Sequence, residues 1–278
     1  MERLQAAIEK ARAQRGDGPA EAGAPVRPGA MTPPGPKPGL AETWAALRPL
    51  DTSATTYSQP DVLVAFRAGG YATPYDMLRT RVLQQANANG WKRIAIVSPH
   101  SGSGKTTTLA NLAFSLGRQT DLRTMVIDFD LRRATLAKVL AQDPEHSMAD
   151  VIEGRVPFAE HAYGYNGNLA FGLNGSHTAL PAELLHSQRA RLAIEAIEAE
   201  YAPDLMFFDL PPLLAADDSF GFLRSVDCAL IVVAAEETPM SQIDVTERHV
   251  AELTQVMGVV LNKCRLMGEA YGYDYGSY

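Results

Sequence analysis

A chain of 278 residues with a formal net charge of −7 and an isoelectric point near 5.4 can build one sizeable α/β domain with extensions, and is too acidic to offer a nucleic-acid backbone a large footprint. No apolar run approaches the length that spans a bilayer, and the charged N-terminus lacks the pattern of a secretory leader. Cys228 and Cys264 fall in or just after apolar runs without redox or metal spacing, and read as reduced core or near-core thiols of a cytoplasmic protein.

Residues 1–40 form the first segment. Leu4, Ala7, Ile8 and Ala11 lie at helical spacing, and a Pro/Gly-rich linker without globular composition follows over residues 16–39. Residues 41–265 carry the domain. A strand is expected at residues 62–66, then a helix through Tyr75, Leu78, Val82 and Leu83 that stops at Asn89-Gly90. The β-branched run at 94–97 reads as a buried parallel strand, and Leu109, Leu112 and Leu116 give the helix after it one apolar face. Further strands are predicted at residues 124–129, 169–173, 205–209, 226–235 and 256–261. Helices are expected over residues 182–200 and 241–254. Alternating β and α segments imply a mostly parallel sheet with helices on both faces.

Between the strand at 94–97 and its helix lies Pro99-His-Ser-Gly-Ser-Gly-Lys-Thr-Thr107. Gly102 and Gly104 have no side chain to block close backbone approach, so N–H groups from Ser101 to Thr107, with Ser103 among them, can point at phosphate oxygens at a helix N-terminus. Lys105 is then the only cation the sequence puts at the β- and γ-phosphates, and the Thr106 hydroxyl is suited to Mg²⁺. This is a P-loop with Pro99 where the full signature has glycine, and its implied ligand is ATP with Mg²⁺. Two later strands end in acid, at Asp128-Phe-Asp130 and at Asp209. Ligands of open parallel sheets bind outside the carboxyl ends of strands, so these carboxylates converge on the loop. Leu205 to Phe208 followed by Asp209 is a Walker B pattern, and the prolines at 211 and 212 argue against Asp209 merely capping a helix.

Val126-Ile-Asp-Phe-Asp-Leu-Arg132, three apolar residues then Asp-x-Asp-x-Arg, resembles the second Walker motif of the bacterial tyrosine kinases of exopolysaccharide assembly. The resemblance runs from about Tyr75 to Asn262 and takes in Pro-Ala-Glu-Leu-Leu at 181–185, Asp-x-Pro-Pro at 209–212 and Gly-Val-Val-Leu-Asn at 258–262. It implies a P-loop ATPase fold, with Asp128 contacting Mg²⁺ or serving as base for the acceptor hydroxyl, Asp130 supporting that site, Asp209 binding the metal and Asn262 contacting the adenine. Asp218 matches a further acidic position of the family. Residues 266–278 end in Tyr271, Tyr273, Tyr275 and Tyr278 with Gly272 and Gly276 among them, similar to the tail that such kinases phosphorylate on one another.

The resemblance further implies control of exopolysaccharide or capsule export, self-association, and recruitment to the inner face of the membrane by a membrane-embedded chain-length regulator. The rival expectation is a nucleotide-hydrolysing switch or scaffold with no kinase activity. Two departures stand out. The family's Glu-x-x-Arg-x-x-Arg-Thr self-association motif is here Thr73, Asp76, Arg79 and Thr80, which puts the usual oligomer contact in question. The extra loop lysine of septum-site ATPases is His100, expected to be a solvated loop residue.

Overall fold

The computed structural model of the chain describes residues 39–53, 72–215 and 217–264. The N-terminal amphipathic stretch, the strand expected at 62–66 and the four tail tyrosines lie outside the described residues.

The elements are α1 (Leu40–Ala45), β1 (Arg48–Pro49), α2 (Thr73–Asn89), β2 (Arg93–Val97), α3 (Lys105–Gly117), β3 (Thr124–Asp128), α4 (Thr135–Val139), α5 (Met148–Ile152), α6 (Phe158–His161), β4 (Tyr163–Tyr165), β5 (Leu169–Gly172), α7 (Pro181–His186), α8 (Gln188–Tyr201), β6 (Leu205–Asp209), α9 (Asp218–Leu223), β7 (Cys228–Ala234), α10 (Met240–Ala251) and β8 (Gln255–Asn262). The sheet has the order β1-β4-β5-β3-β6-β2-β7-β8, and every neighbouring pair is parallel except β4 with β5.

Side chains alternate across each strand, so each central strand buries two sets of residues. Ile94 and Ile96 of β2 join Val126, Phe207 and Leu230 in a layer with Val82 of α2, Leu109 and Leu112 of α3, and Leu136 of α4. Ala95 and Val97 face the other way, into a layer with Met125, Phe208 and Ile231 that α5 and α8 to α10 cover. On that side the Trp44 indole N–H donates to the Tyr201 carbonyl at 2.8 Å, which fastens α1 to the end of α8.

The expected helix over 182–200 is two helices. Ser187 is extended (φ −71°, ψ 153°), and its hydroxyl accepts from the Ala190 N–H at 3.2 Å while donating to the Leu184 carbonyl at 2.7 Å. One serine thus ends α7 and caps α8. Cys228 is a core thiol, pushed up to about 12 by burial and then by the charge of Asp227, whereas Cys264 is exposed and not part of the core. Among the described residues no helix is long and apolar enough to cross a membrane.

Candidate functional site

Register brings the acidic strand ends together. β6 lies between β2 and β3, and Asp209 pairs in register with Ile96 on one side and with Asp128 on the other. The loop leaving β2 therefore arches over both carboxylates, at the place where β2 and β3, consecutive in sequence, are separated by β6.

Gly102 and Gly104 adopt φ of +86° and +81°, a left-handed backbone that side chains rarely tolerate, and Gly104 is the residue from which α3 springs. A Cβ on Gly104 would stand 2.1 Å from Nδ2 of Asn262, so a side chain there would have to displace the Asn262 amide. Asn262, at the end of β8, donates from that Nδ2 to the Ser103 carbonyl at 2.9 Å, while Ser98 Oγ and Ser103 Oγ donate to the His100 carbonyl at 2.9 and 3.1 Å. The loop is held at both sides.

His100 is not a solvated loop residue. It is half-buried, and its Nε2 meets Oε1 of Gln242 on α10 at 2.5 Å. Packing between the loop and α10 decides this, and neither residue's local sequence announces it.

Lys105, the first residue of α3, is 6% exposed and pairs with Asp209. The Thr106 hydroxyl donates to the other Asp209 oxygen at 2.7 Å. Asp128 and Asp209 are fully buried and Asp130 is 4% exposed. Asp128 Oδ1 accepts from the Asp130 N–H at 3.0 Å, but Asp128 Oδ2 and Asp130 Oδ1 have no hydrogen-bond partner among the described residues. Burial, then the charges of Asp209 and Asp130, hold the Asp128 carboxyl well above the usual carboxylate range. Asp130 is raised as well, by burial first, with Lys105 opposing.

Three buried carboxylates thus face one ammonium. The surplus of oxygen ligands suits a hard divalent cation, and the glycine-lined loop suits phosphate, so the residues present fit a Mg²⁺-nucleotide. The cavity in front of them, about 360 Å³, is lined by the loop from His100 to Thr107 together with Asp130, Arg133, Thr135, Pro212 and Lys263. Ser101, Gly102, Ser103, Gly104, Lys105, Thr106 and Thr107 all border it. Lys105 is not the only cation there: Arg133 and Lys263 line the same space, and Lys263 is tied to Glu237 at 3.1 Å. Arg133 directly follows the Asp-x-Asp-x-Arg run, which was the available signal. Lys263 arrives from the last strand and has none.

Arg132 and Asp218, both marked by the resemblance, meet. Two hydrogen bonds of 2.5 and 2.8 Å join the guanidinium to the fully buried carboxylate, tying the segment after β3 to α9. Asp76, where the family motif has arginine, acts within the chain. Its Oδ1 accepts from Ser115 Oγ at 2.6 Å and pairs with Arg118, while Arg79 Nη1 donates to the Ser115 carbonyl at 2.9 Å, so α2 is stitched to α3.

Comparison with known proteins bears on the family and the fold. The model of the CobQ/CobB/MinD/ParA nucleotide-binding domain matches residues 94–270, more than half of the chain. AmsA of Erwinia amylovora is 27% identical over 65% of this chain, which spans only 25% of the length of AmsA. The tyrosine-protein kinase CpsD of Streptococcus pneumoniae is 28% identical over 71% of this chain and 86% of its own length. The kinase domain of the Escherichia coli tyrosine kinase ETK superposes with a TM-score of 0.65 at 24% identity, over 76% of this chain and 84% of that domain, and shares the fold. The chain belongs to the CobQ/CobB/MinD/ParA nucleotide-binding family and, within it, groups by sequence with the bacterial tyrosine kinases.

Proposed function

We propose that the chain is an ATP-dependent protein-tyrosine kinase that transfers the γ-phosphoryl group to Tyr271, Tyr273, Tyr275 and Tyr278 of a sister molecule. The observation that carries this reading is Asp130. A switch that hydrolyses nucleotide needs the loop, Lys105 and Asp209, whereas the further carboxylate of Asp130, which borders the phosphate cavity, gives a phenol a place to leave its proton. A tyrosine hydroxyl with a pKa near 10 gains from such a base.

In this reading N–H groups of Ser101–Thr107 and the Lys105 ammonium cradle the phosphates, and Asn262 keeps the loop in shape at the nucleotide's edge. Among the described residues no group of three or more His, Cys, Asp or Glu side chains is placed to hold a metal alone. Mg²⁺ would therefore be held by Thr106, Asp209 and Asp128 together with phosphate oxygens, and would supply charge neutralisation there.

The resemblance adds the biological setting: regulation of exopolysaccharide or capsule export at the inner face of the membrane, with a membrane-embedded chain-length regulator as partner and self-association for transfer between copies. Mixing a Lys105→Met chain that keeps its tail with an active chain truncated after Gly268 tests it. Given Mg·ATP and a cytoplasmic fragment of the regulator, mass spectrometry should find phosphate on the tail tyrosines of the Lys105→Met partner. Phosphate absent from those tyrosines, in the mixture and in the intact chain alike, would leave a nucleotide switch.

A further inference from the structure

The two edges of the sheet are finished differently. β1 closes one edge with two residues, Arg48 and Pro49: the proline has no N–H to offer a further strand, and the Arg48 guanidinium lies over the Tyr163 ring of β4, 5.0 Å from its centre. β8 closes the other with eight residues, Gln255–Asn262, none of them charged and none proline. Its outer side has no strand beside it among the described residues, and such an edge is a template for another strand. Building on the kinase reading above, in which copies phosphorylate one another, we propose that β8 is the contact between copies: it pairs antiparallel with β8 of a second copy of this chain, about a two-fold axis at Val260.

Register selects the part of β8 that pairs. The alignment of β8 on β7 slips at Met257, which has no partner between Ala229 and Leu230, and beyond it Gly258 to Asn262 run in step with Leu230 to Ala234. Val259 and Leu261 lie beside Ile231 and Val233, so they carry the layer under α10 out to the edge, where they stay 47% and 59% exposed. Met240 opens α10 on the same face and, because α10 follows β7, at the same end of the sheet as Leu261; it is 70% exposed. These are three of the six large apolar side chains exposed among the described residues. A two-fold axis at Val260 sets Val259 opposite the partner's Leu261 and Leu261 opposite the partner's Val259, a cross-strand match that covers both.

Charge, prior commitments and chain length all favour a second copy as the occupant. The paired stretch is uncharged, so two chains of net charge −7 meet there without like charges opposed. The α2 positions to which the resemblance gives self-association are spent inside the chain, Asp76 on Ser115 and Arg118, and Arg79 on the Ser115 carbonyl. The tail also starts at this contact. Residues 265–278 follow β8 after only Lys263 and Cys264, and fourteen residues span at most about 48 Å. Antiparallel pairing sets Asn262 beside the partner's Gly258, about 13 Å along the strand from the partner's Asn262, the residue that holds the phosphate loop. Each tail then starts within reach of the other copy's site.

The contact is small. It is a ribbon of residues 258–262 from each copy, with Val259, Leu261 and Met240 as its apolar content. A contact of that size is reversible, which suits copies that must meet for transfer and part afterwards.

The experiment uses the full chain. In sedimentation equilibrium its mass should rise with concentration from 30.0 kDa towards twice that value. Val259→Lys puts an ammonium into the paired stretch at a position exposed in the single copy, so it should keep the circular dichroism of the wild type while weakening the dimer at least about tenfold. Register is read separately in a Cys264→Ser background, by mixing a Val259→Cys chain with a Leu261→Cys chain under oxidised glutathione. The disulfide between the two variants should form faster than the one within either alone, because residues 259 and 261 stand opposite each other across the axis. A wild type that stays at 30.0 kDa up to about 0.5 mM would overturn the pairing, as would a dimer that Val259→Lys leaves unchanged or cross-linking with no preference for the mixed pair. A dimer that Val259→Lys breaks, in a chain whose tail never takes phosphate, would uphold the contact and remove the kinase reading instead.

Discussion

The two ends of the same strands handle charge in opposite ways. At the N-terminal end of the sheet, Asp227 accepts from the Lys92 and Arg93 N–H groups at 2.7 and 2.8 Å, and Asp204 from the Arg123 N–H at 2.8 Å. Arg93 donates twice to Glu198, at 3.0 and 2.5 Å, and to the Ser225 carbonyl at 3.3 Å. The cavity there is the larger one, about 920 Å³, but the charges of Arg93, Glu198 and Asp227 in it are already answered and close to water. At the C-terminal end three carboxylates are buried against one ammonium, and two of their oxygens lack partners among the described residues. Cavity size does not mark the site. Buried charge held without full compensation does, because a fold keeps so costly an arrangement when a ligand repays it.

Exchanging charge for amide at each end separates the two. Asp128→Asn keeps the acceptor for the Asp130 N–H and removes the central negative charge. It should slow phosphoryl transfer by roughly 10²–10⁴-fold in a radiolabelled transfer assay. Its effect on the fold has the opposite sign. Because the folded-state pKa of Asp128 lies above the unfolded value, the carboxyl favours the fold at low pH and loses that contribution as pH rises through the folded value. The variant should therefore match wild type at acid pH and be the more stable of the two towards neutrality, as read in urea titrations. A variant that is both fully active and less stable at neutral pH would make Asp128 an ordinary strand-end residue.

At the other end Arg93→Ala should do the reverse. It breaks half-buried charge-assisted bonds and so should cost about 1–3 kcal/mol of stability by urea unfolding, with Mg·ATP affinity unchanged. A fall in nucleotide affinity would break the contrast between the two ends.

Much of the C-terminal end is legible in the sequence, because each part rests on local chemistry. The runs that become β2, β3, β6 and β7 are apolar and buried, the glycines of the loop sit where the backbone turns left-handed, and acids close the strands. What stays hidden depends on partners far away in the chain. β1 is two residues long and exists only by pairing with β4, and β4, three residues long, pairs with β1 and, antiparallel, with β5. The helices α4 to α6 have four or five residues each, too short for a readable period. Gln242 meets His100 across the fold, and Lys263 enters the cavity from the last strand. Arg133 stands beside a recognisable motif, but only the fold shows that it borders the phosphate cavity while Arg132 turns to Asp218.

Calorimetric titration of Mg·ATP into the wild type, Lys105→Ala and Arg93→Ala tests the contrast most directly. The account predicts that Lys105→Ala weakens binding at least about 100-fold, equivalent to about 2.7 kcal/mol, while Arg93→Ala binds like wild type. Equal affinity in wild type and Lys105→Ala would contradict it, since the buried charge at the C-terminal end would then not be there to receive a nucleotide.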